Sequence, residues 1–97
     1  MNDEDLMREV LGTLVDDTTR QIELLESAIR ESNSSKCVRL AHYSRGACAN
    51  VGAIRAAGLL KEIERNAAEG QFQECSQSLA GLPRELDLLR CATLALH

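Results

Sequence analysis

The stretch LAHYSRGACANVGAIRAAGLLKEIE, residues 40–64, reads as two helices joined by a tight turn. On its left, Leu40, Ala41, Ser44, Ala47, Cys48 and Val51 recur at steps of three and four, one face of a helix. On its right, Ala53, Ala56, Ala57, Leu60 and Ile63 repeat that spacing. Between them stands Gly52, which takes the left-handed conformation that closes a helix without steric cost. Two amphipathic helices around so short a turn must run antiparallel and bury their small-residue faces against each other. Residues 36–50 and 53–69 are the expected helices, the second closed by Gly70.

The flanks extend the pattern. Met7, Val10, Leu11, Leu14, Thr18, Ile22, Leu25 and Ile29 mark a helix over residues 4–30, and Asp3, Glu4 and Asp5 suit the positive end of its dipole. Residues 31–35 are a polar break, with Ser34 or Ser35 the expected N-cap of the next helix. A last helix is expected over residues 72–94, its stripe formed by Phe72, Cys75, Leu79, Leu82, Leu86, Leu89 and Leu96. Gly81 and Pro83 interrupt it. The stripe keeps its phase across Pro83, so a kinked continuous helix is favoured over two shorter ones. No β-branched alternation competes with helix. The expectation is an all-α, antiparallel four-helix bundle, up-down-up-down, forming a single domain over residues 1–97.

Charge singles out one part of this bundle. Residues 32–61 contain no Asp or Glu but carry Lys36, Arg39, Arg45, Arg55 and Lys61; with a net charge of −4, the rest of the chain sums to −9. The overall acidity argues against nucleic-acid binding. No apolar run approaches the ~20 residues of a membrane span, and the acidic start lacks the basic, then apolar, pattern of a signal peptide, so a cytoplasmic protein is expected. Cys37, Cys48, Cys75 and Cys91 form no C-x-x-C pair and read as reduced, mostly buried thiols; no metal site is expected.

Inside the basic island lies His42, the one histidine besides the terminal His97. On a helical wheel it falls opposite the core stripe, with Arg39 and Arg45 one turn to either side and Gly46 adjacent. A mid-helix glycine costs about 1 kcal/mol relative to alanine. On an exposed face core packing does not explain it; a bare backbone beside an imidazole makes room for close approach. With the hairpin centred near Val51 and Gly52, residue 42 stands level with about residue 61 of the next helix. Lys61 and Glu64 are then candidates to flank the ring.

These residues carry a family resemblance. The run Ala41-His42, Gly46, Gly52-Ala53 and Ile63-Glu64 resembles the signature of histidine-containing phosphotransfer (HPt) domains of bacterial phosphorelays, A-H-x-L-K-G followed by G-A and an L-E pair. Arg45 replaces the usual lysine and Ser44 the usual leucine. The resemblance covers about a quarter of the chain. It implies a phosphocarrier without kinase activity of its own: His42 takes a phosphoryl group from the aspartyl-phosphate of one receiver domain and passes it to another. Arg45 is expected to stabilise phosphate, and Arg39, Tyr43, Gly46, Ala49 and Lys61 to dock the partner. Glu64 is expected to orient the ring through Nδ1–H. The partners implied are receiver domains of response regulators or hybrid histidine kinases, which supply Mg²⁺, so the chain needs no cofactor. A monomer is expected, standing alone or as a piece of a hybrid sensor kinase. The competing readings are a non-catalytic helical interaction module, an enzyme with His42 as general base, and the kinase-charged histidine domain of a chemotaxis-type kinase. The scarcity of acids around His42 speaks against the enzyme.

Overall fold

The computed structural model describes residues 3–94. Five helical segments follow one another: α1 (Asp3–Arg30), α2 (Ser34–Asn50), α3 (Ile54–Ala68), α4 (Phe72–Ala80) and α5 (Leu82–Leu94). The first three are arms of an antiparallel four-helix bundle. The α4 and α5 segments together form the fourth arm, α4 packing chiefly on α3 and α5 chiefly on α1. The molecule is 45 Å long and 19 Å across. The length is that of α1, since 28 residues at about 1.5 Å each nearly span it.

The three tight connections share one closure. After α1, Asn33 N–H donates to Ala28 O at 2.9 Å and Ser32 N–H to Ile29 O at 3.0 Å. After α2, Ala53 N–H donates to Cys48 O at 2.9 Å and Gly52 N–H to Ala49 O at 3.0 Å. After α3, Gln71 and Gly70 repeat the pair toward Asn66 and Ala67. Each is a Schellman cap, which needs a left-handed residue. Gly52 (φ 79°) and Gly70 (φ 75°) supply it as the sequence suggests, but after α1 a serine, Ser32 (φ 53°), does so.

The core is aliphatic and thiol-rich. Leu25, Leu60, Ile63 and Leu82 are fully buried, as are Cys37, Cys48 and Cys75. Burying each of the large aliphatic side chains contributes about 1.5–3 kcal/mol. The three buried cysteines are free and pack as small apolar groups, while Cys91 is exposed.

Three expectations change. Met7 and Val10 are exposed rather than part of the core stripe, in the part of the 28-residue α1 that outruns its 17-residue neighbour α2. The N-cap of α2 is Asn33, whose Oδ1 accepts from Lys36 N–H at 3.1 Å. Ser34 instead sends its hydroxyl across to Ala67 O at the end of α3. The last arm is two helices, not one kinked helix: Pro83 has no N–H for the carbonyl one turn back and sits in the first turn of α5, where none is needed. A Cβ on Gly81 would meet Leu59 Cδ1 at 3.2 Å, so its small size lets the joint close against α3. The phase nevertheless persists, with Cys75, Leu79, Leu82 and Leu86 all buried. Leu96, expected on that stripe, and His97 lie outside the described residues.

Candidate functional site

The core residues of α2 aim His42 outward. Ala41 and Ser44 are buried against the bundle, so the intervening positions must face solvent. The His42 side chain is 67% exposed, against 19% for Glu64 on α3. The two meet across the hairpin, with His42 Nδ1 lying 2.8 Å from Glu64 Oε1 and 3.4 Å from Oε2. The other ring nitrogen, Nε2, makes no hydrogen bond among the described residues and points away from that carboxylate.

Of the two residues expected to flank the ring, the structure brings Glu64 into contact. The turn closes through Ala53, the N-cap of α3, and the Glu64 carboxylate reaches His42 from that helix. Lys61 is exposed and takes no part in the His42 contacts.

Arg45 is drawn behind the ring. Its Nη2 lies 3.0 Å from His42 Nδ1 and 3.3 Å from Glu64 Oε2. The sequence places this guanidinium one turn from His42, where a phosphoryl group is expected. The carboxylate of Glu64 explains why it turns to the Nδ1 side. Glu64 itself is held by α3 packing: Leu60, Ile63 and Ala67, on the buried face of the same helix, are fully enclosed.

The remaining candidates surround His42 on α2. Arg39 and Ala49 are exposed. Gly46 is exposed, and a Cβ there would meet nothing within 4 Å. Tyr43 is 56% exposed, and its hydroxyl donates to Asp17 Oδ2 of α1 at 3.1 Å. That carboxylate pushes the Tyr43 phenol above its usual pKa, through the hydrogen bond first and its charge second. The link to Asp17 was not legible in the sequence, because nothing in either helix fixes their relative register. The basic island is not one patch: Arg45 is paired with Glu64, and Arg55 sits beside Glu85 and Leu88 near the α2–α3 turn. Among the described residues no cluster of His, Cys, Asp and Glu is suited to a metal ion, and no helix is long and apolar enough to cross a membrane.

An exposed imidazole with one nitrogen tied to a carboxylate and the other open can act as a nucleophile at the open nitrogen. The comparisons with known proteins agree in kind. The sequence model of the Hpt domain family matches residues 9–92. Among solved structures, the chain is similar to histidine-containing phosphotransfer protein B (HptB) from Pseudomonas aeruginosa PAO1, at 27% sequence identity and a TM-score of 0.86, over 96% of this chain and 81% of that one. No curated protein sequence matches the chain significantly. With a family match over most of its length, and the same bundle in that solved structure, the chain belongs to the Hpt domain family, the phosphocarriers of phosphorelays.

Proposed function

We propose that His42 is the phosphorylated residue and that Nε2 is its nucleophilic atom. The observation that carries this reading is the 2.8 Å contact between His42 Nδ1 and Glu64 Oε1. A carboxylate is only an acceptor, so it favours a proton on Nδ1 and leaves the lone pair of the neutral ring on exposed Nε2. As the N–P bond forms, the P–O bond of the donor's aspartyl-phosphate breaks and its electron pair leaves on the Asp carboxylate. The ring keeps its Nδ1 proton and gains one positive charge, which Glu64 faces. Return of the phosphoryl group to a second receiver reverses these steps.

Family members of this kind work with receiver domains of response regulators or hybrid kinases. For this chain we assign docking to the α2 face bearing Arg39, Tyr43, Gly46 and Ala49, with Lys61 at its edge. Gly46 leaves the approach to Nε2 open, and Arg39 supplies charge toward an acidic receiver pocket. The receiver brings the acceptor Asp and Mg²⁺, so the carrier contributes no metal and no kinase chemistry. It acts in the cytoplasm as a monomeric single domain, alone or within a hybrid kinase.

The test is incubation with a phosphorylated receiver domain. Acid-labile, base-stable phosphate should appear on the wild type and not on His42→Gln. Phosphate retained by His42→Gln overturns the assignment. Charging by a kinase ATP-binding domain but by no receiver favours the chemotaxis-type reading instead.

A further inference from the structure

Two neighbours make opposite demands on His42 Nδ1. Glu64 Oε1, at 2.8 Å, can only accept a hydrogen bond. Arg45 Nη2, at 3.0 Å, can only donate, because a guanidinium keeps its protons in proteins. A nitrogen of a neutral imidazole carries either a proton or a lone pair. The two contacts are therefore mutually exclusive, and each belongs to a different tautomer. With the proton on Nδ1, Glu64 is bonded and Nε2 holds the lone pair. With the lone pair on Nδ1, Arg45 is bonded and the proton sits on Nε2, which then has nothing to attack with.

Arg45 favours the second state in two ways. One N–H of its Nη2 is aimed at Nδ1, and the same nitrogen lies 3.3 Å from Glu64 Oε2. It thus offers Nδ1 a donor and takes up part of the carboxylate that would receive the Nδ1 proton. The guanidinium is also free to leave. Its side chain is 32% exposed, and its contacts among the described residues are with the ring and with Glu64.

We infer that Arg45 is a positioning residue that sets the tautomer of His42. At rest its N–H, competing with Glu64 for Nδ1, shifts part of the tautomer equilibrium toward Nε2–H, and anionic groups of a docked receiver draw it away, leaving Nδ1 to Glu64 and the lone pair on Nε2. The proton passes from Nε2 to Nδ1 through solvent, so the ring stays neutral. Reactivity is then released by docking instead of being displayed permanently on an exposed side chain. The inference rests on the reading of His42 as the phosphoryl acceptor, and it gives Arg45 a task before the phosphoryl group arrives as well as beside it.

Nitrogen-15 NMR of the imidazole rings reads the tautomer directly. The chain has 2 histidines, so His42→Gln assigns the signals. At pH ~8.5, where an imidazole is neutral, Arg45→Met should move the ratio toward Nδ1–H by about fivefold, the scale of one charge-assisted hydrogen bond weakened by exposure. Glu64→Ala should move it toward Nε2–H, and Arg45→Lys, which keeps a donor, should stay near the wild type. A ratio in Arg45→Met equal to that of the wild type overturns the inference, as does an Arg45→Lys ratio matching Arg45→Met. Circular dichroism melts check that each variant is folded. If no receiver phosphorylates His42, the carrier reading falls whatever the ratio. If His42 is phosphorylated and the ratio ignores Arg45, the tautomer role alone falls.

Discussion

His42 and Glu64 are 22 positions apart in the chain and 2.8 Å apart in the structure, Nδ1 to Oε1. One is two-thirds exposed and the other partly enclosed, so the better-held partner fixes the ring and the ring reaches solvent. Glu64→Ala removes this anchor. Phosphorylation of His42 by a receiver should slow about tenfold, since a charge-assisted bond of ~1.5–3 kcal/mol, weakened by exposure, corresponds to one decade of rate. Single-turnover transfer rates at saturating receiver check this. An unchanged rate would show that ring orientation is not limiting.

Gly46 separates stability from docking. A Cβ meets nothing there, so Gly46→Ala should stabilise the fold by about 0.5–1 kcal/mol, in line with helix propensity. Gly46→Leu should stay as folded yet slow transfer from a receiver, because its side chain stands one turn from His42 on the docking face. Melting curves and transfer rates on the same samples give both answers. A Gly46→Leu protein transferring at the wild-type rate removes the close-approach role of this glycine.

Ser32 holds φ at 53° in the closure after α1, where the equivalent positions after α2 and α3 are glycines. A side chain is strained in this region, and glycine is not. Ser32→Gly should therefore raise stability by about 0.5–1 kcal/mol despite the added freedom of the unfolded chain. Urea midpoints measure it, and a loss of stability would mean that unfolded-state entropy outweighs the relieved strain.

Cys75 gives the fold an alkaline limit. Burial first, then the nearby Cys37 and Glu74 charges, push its thiol up to about 11 from an ordinary value of 9.0. A raised pKa means that its contribution is complete below pH ~9 and is lost between pH ~9 and ~11, as the unfolded chain ionises the thiol and the folded chain does not. Two pKa units correspond to about 2–3 kcal/mol. Burial raises Cys37 and Cys48 in the same direction. Urea midpoints at pH 8 and pH 10.5 should fall more for the wild type than for Cys75→Ala. Equal falls in both proteins would assign the alkaline loss to other groups.

Spacing along the chain was enough to place the helices to within a few residues and to tell the inward from the outward face of α2 and α3. Ala41, Ser44 and Cys48 turn inward and His42 outward because side-chain direction in a helix follows from spacing along one chain. The turn at Gly52 was legible for the same local reason, a left-handed residue at the end of an apolar stripe. How the helices slide against one another is set by their packing in three dimensions. That shift depends on loop closure and core packing, which no single helix contains. Of the two residues expected beside the ring, it brought Glu64 to Nδ1 and left Lys61 out of the contact, and it brought Asp17 to the Tyr43 hydroxyl. It likewise drew Arg45 behind the imidazole, since where a long cation settles depends on the carboxylate that a neighbouring helix presents to it.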